Sequence, residues 1–579
     1  MFKTEEFSFR TREASLNRFR QSTQEPFDLL VIGGGITGAG TARDAASRGL
    51  KVALVESRDF AWGTSSRSSK LIHGGLRYLQ NMELQLVFEA LSERSHLLKV
   101  VPHLVKPLEF YMPVFKGEKP GMTLLSIGLW LYDVLSLFRT PGFHRRLSKN
   151  KMLSKIPFLK KDHLKGGFQY YDASMWDDIM TIETLRDSKR LGASIANYAE
   201  AVSPIWENER IVGFQVKDLW SNANDLISLK AKKVVVCAGP WTDQVGLKMN
   251  EKWRNWLNPS KGVHLIFDLK KIPVPGAMVL TNPDDGRIAF VIPRPDMGAG
   301  VAIVGTTDGP TPLDPEKAIV EKEDVHYLMS LLQKYFPDLN LQPSDILSAY
   351  VGVRPLMGDH AATTGSEGQS SKALQKVSRE HYIGDGPGGT IIVAGGKYTT
   401  HRTMAKEIVD VTLDAWKRDA AKGLDAPYPT NLSDSQTEAG INPMARFDTV
   451  AEALKEAEAK GIKIHPNLWD HYGAGALEIA QNTVDLNDPE GFPQLAGQLK
   501  YAIQSSMVMH LEDFYLRRVS LFAARADHGL PWVKPLAEIF VKELGLPPNV
   551  VEVESQRLQK EISLRSEWYS KIETPPSNF

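Results

Sequence analysis

The sequence of 579 residues is short of cysteine, of net charge and of metal-ligand clusters. Its one cysteine, Cys237, excludes an intrachain disulfide framework and indicates a reducing compartment. Lys plus Arg and Asp plus Glu both number 69, and a chain without a basic excess is not expected to bind nucleic acid. No group of His and Cys has the spacing of metal ligands, so the sequence predicts no metal site.

Long hydrophobic runs are also scarce. The longest covers residues 122–138, contains Asp133 and is too short to span a bilayer. It predicts a helix with two open interpretations, either a buried helix of a substrate domain or an interfacial helix in contact with anionic lipid. The second interpretation depends on the basic or titratable residues that follow, which are Arg139, His144, Arg145, Arg146, Lys149 and Lys151. Residues 1–24 lack the apolar core of a secretory signal, and their acids argue against a transit peptide.

A glycine-rich turn lies between two predicted strands, in residues 28–40 (DLLVIGGGITGAG) and 51–56 (KVALVE). Gly33 fits a tight turn, Gly35 lets the backbone approach a pyrophosphate, and Gly38 lets a helix pack closely against the sheet. Glu56 is placed to accept hydrogen bonds from a ribose 2′-hydroxyl and would repel a 2′-phosphate. The pattern therefore predicts a dinucleotide site and disfavours NADP; an ordinary βαβ unit with a glycine-rich turn is the alternative.

The segment after the second strand is unusual for a nicotinamide enzyme. Residues 64–79 (TSSRSSKLIHGGLRYL) carry a threonine and four serines, followed by paired glycines. Such a segment suits a backbone that lies against a flat ligand, with hydroxyl groups facing the polar atoms of that ligand.

Six short motifs follow one another along the chain: residues 32–40, 64–79, 237–242 (CAGPWT), 305–308 (GTTD), 352–356 (GVRPL) and 395–400 (GGKYTT). In this order they closely resemble the FAD-dependent glycerol-3-phosphate dehydrogenases, within the wider family of glycine and D-amino-acid oxidases. The resemblance implies FAD as cofactor and a fold of the class α/β plus α+β. We expect a Rossmann-type FAD domain, a substrate domain that contains a sheet, and a C-terminal helical domain.

The expected domain boundaries follow from the same resemblance. The FAD domain is discontinuous and takes residues 25–115, 165–250 and 345–415. The substrate or cap domain takes residues 116–164 and 251–344, and the C-terminal helical domain takes residues 425–565.

Cationic side chains inside the motifs are candidates for binding a phosphate. Guanidinium binds phosphate through two hydrogen bonds, and ammonium adds a point charge. The resemblance places the substrate contacts on Arg77, Tyr78, Arg354, Arg379 and Lys397. Arg354 is also expected beside the substrate hydroxyl, where it would stabilise the developing alkoxide.

Two histidines are candidates for chemistry, because imidazole titrates closest to neutral pH. His264 matches the active-site histidine of the resembling family and is predicted to be the general base; a hydrogen-bonded structural histidine in a strand is the alternative. His73 is the second candidate. The alternative for His73, which is flanked by Ile72 and Gly74, is a position against the flavin, where it would tune the flavin potential.

Further flavin contacts are expected in the serine- and glycine-rich turns. They are Ser65, Ser66 and Lys70, His73 and Gly74, Ala238 and Gly239, and Gly396, Thr399 and Thr400. The two threonines begin a predicted helix, whose N-terminal N–H groups are suited to the flavin pyrimidine. Cys237 lies on an apolar strand and is expected to be inert.

The expected function is oxidation of sn-glycerol 3-phosphate to dihydroxyacetone phosphate, with electrons passed to a membrane quinone. The protein is then expected in the cytoplasm, peripherally bound to the anionic inner face of the cell membrane; a homodimer is left open. One alternative is a soluble oxidase that uses oxygen and releases peroxide. Others are an amino-acid oxidase of the same fold, which would pair a carboxylate instead of a phosphate, and a nucleotide-binding scaffold without chemistry.

Overall fold

A computed structural model provides the arrangement of these segments. It describes residues 6–75, 79, 82–118, 120–221, 226–312, 314–358, 381–424, 426–436, 447–482 and 486–572. In chain order the described strands are β1 Phe27–Ile32, β2 Val52–Val55, β3 Leu71–Ile72, β4 Val105–Phe115, β5 Arg145–Ser148, β6 Leu164–Met175, β7 Ser194–Ala196, β8 Ala199–Glu207, β9 Arg210–Asp218, β10 Leu226–Val236, β11 Ser260–Asp268, β12 Ala277–Thr281, β13 Ile288–Arg294, β14 Val301–Gly305, β15 Gly309–Pro310, β16 Ile346–Arg354, β17 Tyr382–Asp385 and β18 Ile391–Ala394. The described α-helices are Phe9–Gln21, Ile36–Ser47, Leu84–Val100, Met122–Leu135, Lys149–Lys155, Asp177–Arg190, Thr242–Met249, Lys322–Tyr335, His401–Ala421, Phe447–Ala459, Pro466–Tyr472, Gly475–Gln481, Leu495–Ser505, Leu511–Arg517, Val533–Leu544 and Val550–Ile572.

The first sheet carries the glycine-rich turn. Its path is β17-β18-β10-β1-β2-β7, and β8 and β9 extend it from β10. Strands β18, β10, β1, β2 and β7 are parallel. Both faces are covered, because Leu29 and Val31 pack into one hydrophobic core and Leu30 and Ile32 into another. A parallel sheet buried on both faces explains why these strands are continuously apolar in sequence. The predicted Rossmann-type unit is confirmed.

The second sheet is largely antiparallel. Its path is β15-β11-β14-β13-β12-β4-β6-β3, with β16 paired to β11 and β5 paired to β6. One face packs against helix Lys322–Tyr335. The other face packs against the C-terminal helices, including Leu495–Ser505 and Val533–Leu544. The mixed α/β and α+β class and the C-terminal helical unit are therefore as predicted.

Four strands pair differently from the expected domain boundaries. Residues of β3, β4, β6 and β16 fall in the expected FAD segments, yet all four strands pair in the second sheet. The reason is that β4 pairs with β6, and β16 with β11, across large sequence separations. These partners are set by tertiary packing and not by local pattern.

A buried ion-pair cluster joins the C-terminal helices to the first sheet. Arg517 and Arg518 both pair with Asp59, which follows β2, and Arg517 also pairs with Asp513. All four side chains are almost completely buried. Removing one partner of such a cluster is destabilising, because it leaves a buried charge uncompensated. The C-terminal unit is thus fixed beside the end of β2.

Candidate active site

The glycine-rich turn brings three pieces of backbone into close approach. Gly33 has a φ of +114°, and a Cβ at this position would lie 2.4 Å from Cys237 O. A Cβ at Gly38 would lie 1.9 Å from Gly33 O. The turn and the packing of helix Ile36–Ser47 on the sheet therefore both require glycine, for the reasons inferred from the sequence.

Glu56 accepts hydrogen bonds from the backbone of the glycine-rich turn and can accept one more from a ligand. Its Oε2 accepts the N–H of Gly34 at 2.7 Å, and its Oε1 accepts the N–H of Arg58 at 2.8 Å. Burial raises the pKa of this carboxyl. Oε1 also accepts the Ser57 hydroxyl at 3.3 Å, whereas Oε2 accepts, within the described part of the chain, only the N–H of Gly34, so Glu56 can still bind a ribose hydroxyl through Oε2.

A cavity of about 770 Å³ extends from this turn. Its wall includes Gly33, Gly35, Glu56, Ser65, Ala238, Gly239 and Gly396. Ser65 Oγ also accepts the N–H of Ile36 at 3.0 Å, at the N-terminus of the first βαβ helix. A helix N-terminus beside a glycine turn suits a diphosphate. These residues fit the adenosine and diphosphate portion of FAD.

A second cavity, of about 2340 Å³, adjoins the first. The two cavities share Thr64, Ser68, Lys397 and Tyr398. The wall of the larger one contains His73, His264, Arg354 and Thr399. The structure thus brings together, around two joined cavities, residues that are far apart in sequence, and an extended dinucleotide fits this arrangement.

His264 lies on β11 with its imidazole buried in the cavity wall. Its Nε2 is 2.8 Å from Ser69 Oγ, and its ring stacks on Tyr350 with centroids 4.8 Å apart. Burial, and then the nearby charges of Arg354 and Lys70, lower the pKa of His264 to about 3. The imidazole is therefore neutral at pH 7.

Arg354, at the end of β16, is held by several oxygen atoms. Its Nη1 donates to Lys261 O at 3.1 Å and its Nη2 to Thr306 Oγ1 at 3.0 Å and Thr307 O at 3.1 Å. The carboxylate of Asp308 is 3.3 Å away and exposed. Most of these acceptors are neutral, so the guanidinium keeps a large part of its positive field in the cavity.

The structure places four predicted flavin contacts outside both cavity walls. Lys70 is buried in an ion pair with Asp177, and neither Ser66 nor Thr400 lines either cavity. Gly74 also lies behind the wall, packed against Leu91 and Tyr132. Arg77, Tyr78 and Arg379 lie outside the described residues, so their predicted contacts stay predictions.

Sequence reasoning missed four residues of the larger cavity or its support. They are Ser69, Tyr132, Asp172 and Tyr350. Ser69 lies inside the quoted serine-rich motif, which was the available signal. Tyr132 lies in the apolar run, and its hydroxyl donates to Asp172 at 2.8 Å. A tyrosine among apolar residues gives no local indication of such a partner.

Helix Met122–Leu135 is not a buried helix, so the first interpretation of residues 122–138 is wrong. Leu124, Ile127 and Trp130 are 63%, 61% and 59% exposed, and no described helix is long and apolar enough to cross a bilayer. Asp133 does not interrupt the exposed apolar side, because it is buried and paired with His144 Nδ1 at 2.7 Å. The side of the helix that carries Leu124, Ile127, Gly128 and Leu131 lines the larger cavity, whereas the buried Tyr132 and Asp133 lie behind it.

Comparisons with known proteins agree with this geometry. The family model described as FAD dependent oxidoreductase matches residues 28–409, and the model of the C-terminal domain of alpha-glycerophosphate oxidase matches residues 447–549. The aerobic glycerol-3-phosphate dehydrogenase of Staphylococcus haemolyticus is 34% identical over 559 residues, which cover 94% of this chain and 95% of the relative. That of Bacillus subtilis is 35% identical over 535 residues, which cover 90% and 92%.

A solved structure is similar over nearly the whole length. The glycerol-3-phosphate dehydrogenase from Bacillus halodurans, complexed with FAD, has a TM-score of 0.73 and 28% identity, covering 97% of this chain and 99% of that one. Fold and joined cavities define a flavin-dependent oxidoreductase. The chain belongs to the FAD-dependent oxidoreductase family with the C-terminal domain of the alpha-glycerophosphate oxidases, and FAD is its cofactor.

Proposed function

We propose that this protein oxidises sn-glycerol 3-phosphate to dihydroxyacetone phosphate and passes the electrons to a quinone at an anionic membrane surface. The observation that carries the proposal is a neutral buried imidazole and a cationic guanidinium in one cavity that adjoins the dinucleotide cavity. The relatives named above support the substrate.

Arg354 and His264 have complementary roles in this proposal. Arg354 binds the phosphate or stabilises the alkoxide, because its position is fixed by Thr306 and Lys261 and its charge is only partly compensated. His264 accepts the hydroxyl proton at Nε2, the nitrogen that faces Ser69. Its Nδ1 is buried and has no hydrogen-bond partner among the described residues. Bound FAD supplies the hydride acceptor.

The apolar half of the larger cavity supports quinone as the acceptor. Leu124, Leu125, Gly128 and Leu131 of helix Met122–Leu135 line the same cavity as His264. An amino-acid or sugar-phosphate substrate has no use for such a wall, whereas a quinone ring and its first isoprenoid units bind apolar surface. The apolar wall therefore forms a route between the redox site and the exposed side of the helix.

The outer side of that helix and its neighbours support membrane contact. Val134, Leu137, Phe138 and Phe143 extend the exposed apolar surface. Five cations beside it, Arg139, Arg145, Arg146, Lys149 and Lys151, are exposed, and none forms an ion pair with a described residue. An apolar surface beside unpaired cations matches the acyl boundary and the anionic headgroups of a lipid leaflet.

Electron transfer from the holoenzyme tests the acceptor. Under anaerobic conditions, with quinone in anionic vesicles, glycerol 3-phosphate should drive quinone reduction, and in air without quinone little peroxide should form. Leu124→Glu should slow quinone reduction more than reduction of a water-soluble dye, and Leu454→Glu, on an exposed C-terminal helix, should change neither. Rapid peroxide release with no quinone reduction would instead identify a soluble oxidase.

A further inference from the structure

Tyr132 is on the inner side of the helix whose outer side is exposed. It is 2% exposed, whereas Leu124, Ile127 and Trp130 of the same helix are all strongly exposed. One helix therefore has an apolar outer surface and a polar inner anchor.

The Tyr132 hydroxyl makes two kinds of hydrogen bond behind the wall of the larger cavity. It accepts the N–H of Gly74 at 2.9 Å, and it donates to Asp172, with its oxygen 2.8 and 2.9 Å from the two carboxylate oxygens. A Cβ at Gly74 would lie 2.5 Å from this hydroxyl, so the backbone of the 73–75 segment is pressed against the ring. Because Tyr132 contacts the backbone of Gly74, a change of side-chain rotamer at this glycine cannot relieve the contact.

Asp172, which accepts the Tyr132 hydroxyl, is itself held in place by an ion pair. Its Oδ1 pairs with Arg94 Nη1 at 2.5 Å, and the same nitrogen donates to Tyr171 O at 2.9 Å. Arg94 and Asp172 are both buried, and Asp172 is on β6, which pairs with β4 in the second sheet. A displacement of helix Met122–Leu135 relative to this sheet must therefore act on the Tyr132 hydroxyl and, through it, on Gly74.

The segment held in this way belongs to the redox site. His73 lines the larger cavity, and its Nδ1 accepts the N–H of Gly75 at 3.1 Å. We propose that Tyr132 is a positioning residue that couples membrane contact of helix Met122–Leu135 to the geometry of the His73–Gly75 backbone. The inference rests on the membrane contact of the proposed function. It adds that this contact changes the backbone position of His73–Gly75 through Tyr132.

A purely structural Tyr132 is the competing account. Its ring packs 6.1 Å from that of Tyr170 and contributes to the core of the second sheet. A phenylalanine would preserve that packing and remove only the hydroxyl. Tyr170→Phe is the matched control, because it removes a buried hydroxyl from the same core without a described bond to Gly74 or Asp172.

The test uses the FAD-loaded enzyme with and without vesicles of anionic phospholipid. Sedimentation reports binding, and anaerobic stopped flow reports the rate of flavin reduction by glycerol 3-phosphate. We expect vesicles to raise the wild-type and Tyr170→Phe rates several-fold. Tyr132→Phe should sediment like the wild type and lose most of that increase. Asp172→Asn weakens the same connection, because the amide accepts through only one of its two end atoms, and should lose part of the increase as well. It covers the case in which Tyr132→Phe does not fold.

The outcomes separate the coupling from the membrane contact itself. Sedimentation with no vesicle effect in the wild type, or with an equal effect in Tyr132→Phe, overturns the coupling and leaves the membrane contact intact. No sedimentation of the wild type overturns the membrane contact, and the coupling with it. Reduction by glycerol 3-phosphate in solution is measured in every arm and reports on the substrate independently.

Discussion

Ser69 Oγ and His264 Nε2 lie 2.8 Å apart in the wall of the cavity that also contains Arg354. Tyr350 contacts His264 through its ring, which stacks on the imidazole, and its hydroxyl donates to the backbone carbonyl of Ser68, the residue before Ser69, at 2.7 Å. The imidazole is thus fixed at one edge by a hydrogen bond and on one face by an aromatic ring. In the proposed reaction, the Ser69–His264 pair accepts the proton of the substrate hydroxyl.

Loss of the imidazole should therefore slow chemistry. His264→Ala is expected to lower the rate of flavin reduction by on the order of 100-fold, the usual share of a general base. Ser69→Ala should have a smaller effect, because one neutral hydrogen bond contributes only about 1 kcal/mol. Anaerobic stopped flow measures both, with Ser66→Ala as the control from outside the cavity wall. An unchanged rate in His264→Ala would move the base to another residue, with His73 the next candidate.

Arg354→Leu should lower turnover and also raise the KM for glycerol 3-phosphate. A hydrogen bond to a charged group is typically worth about 1.5–3 kcal/mol, which corresponds to roughly ten- to a hundredfold in kcat/KM. Arg354→Lys should recover part of the loss in KM but less of the loss in kcat, because ammonium keeps the charge without the planar fork. Steady-state kinetics with a soluble dye as acceptor would show this; wild-type values of both constants in Arg354→Leu would exclude the assigned role.

Glu56→Gln should weaken retention of FAD. The amide cannot accept through both end atoms, so it loses the N–H of Gly34 or of Arg58 and presents a weaker acceptor to the ribose. The ratio of flavin to protein after gel filtration measures the effect. Glu25→Gln, at an exposed carboxylate paired with Lys51, is the control and should retain FAD fully. Equal retention by both variants would show that the ribose does not depend on Glu56.

Buried neutral histidines should make the protein less stable in mild acid. Burial lowers the pKa of His103 and His264 to about 3 and that of His401 to about 4, from the usual 6.5. Below pH 6.5 the unfolded chain binds protons at these sites and the folded chain does not, so each lowers stability by about 1.4 kcal/mol per pH unit. Asp513 opposes them, because burial raises its pKa to about 6 and the folded state takes up that proton first.

Urea unfolding at pH 7.5, 6.5 and 5.5 checks the net direction. The urea concentration at the unfolding midpoint should decrease when the pH is lowered from 6.5 to 5.5. The decrease should be smaller in His103→Asn, which removes one titrating group. A midpoint that rises on acidification would contradict the pKa shifts of these histidines.

Membrane contact predicts salt-sensitive binding to anionic vesicles. Each Lys or Arg near such a surface contributes about 1 kcal/mol, so reversing Arg145, Arg146 and Lys149 to Glu should release the protein. Reduction by glycerol 3-phosphate in solution should not change. Reversal of Lys417, Lys422 and Lys455, which are exposed on other elements, changes the net charge equally and should leave binding intact. Wild-type protein that stays in the supernatant at low salt would remove the membrane from the account.

The parts of the site that sequence predicts well are those fixed by local geometry. Gly33 needs a positive φ and Gly38 needs a missing Cβ, and both demands act within one turn of chain. Lys70 was expected at the flavin because it lies in a serine-rich motif. Its partner Asp177 is 107 residues further along the chain, and no local pattern reveals that a cation is neutralised at such a distance.

The same limit applies to the strands and to the apolar helix. The partner of β4 is β6, and the choice of sheet depends on packing that the sequence of either strand does not contain. For residues 122–138 the apolar pattern predicted a helix but not which side would be exposed. Which side is exposed is set by Tyr132 and Asp133, which face inward because they bond to Asp172 and His144. Neither partner can be identified from the sequence of the helix.

The most direct test of the central claim is anaerobic bleaching of the bound flavin. The FAD-loaded enzyme is mixed with glycerol 3-phosphate, glycerol or D-alanine, and the visible flavin absorbance is followed. We expect rapid and complete bleaching with glycerol 3-phosphate and almost none with the other two, because only a phosphate ester engages the cationic cavity. Bleaching by D-alanine, or by none of the three donors, would contradict the assignment of this site to glycerol 3-phosphate.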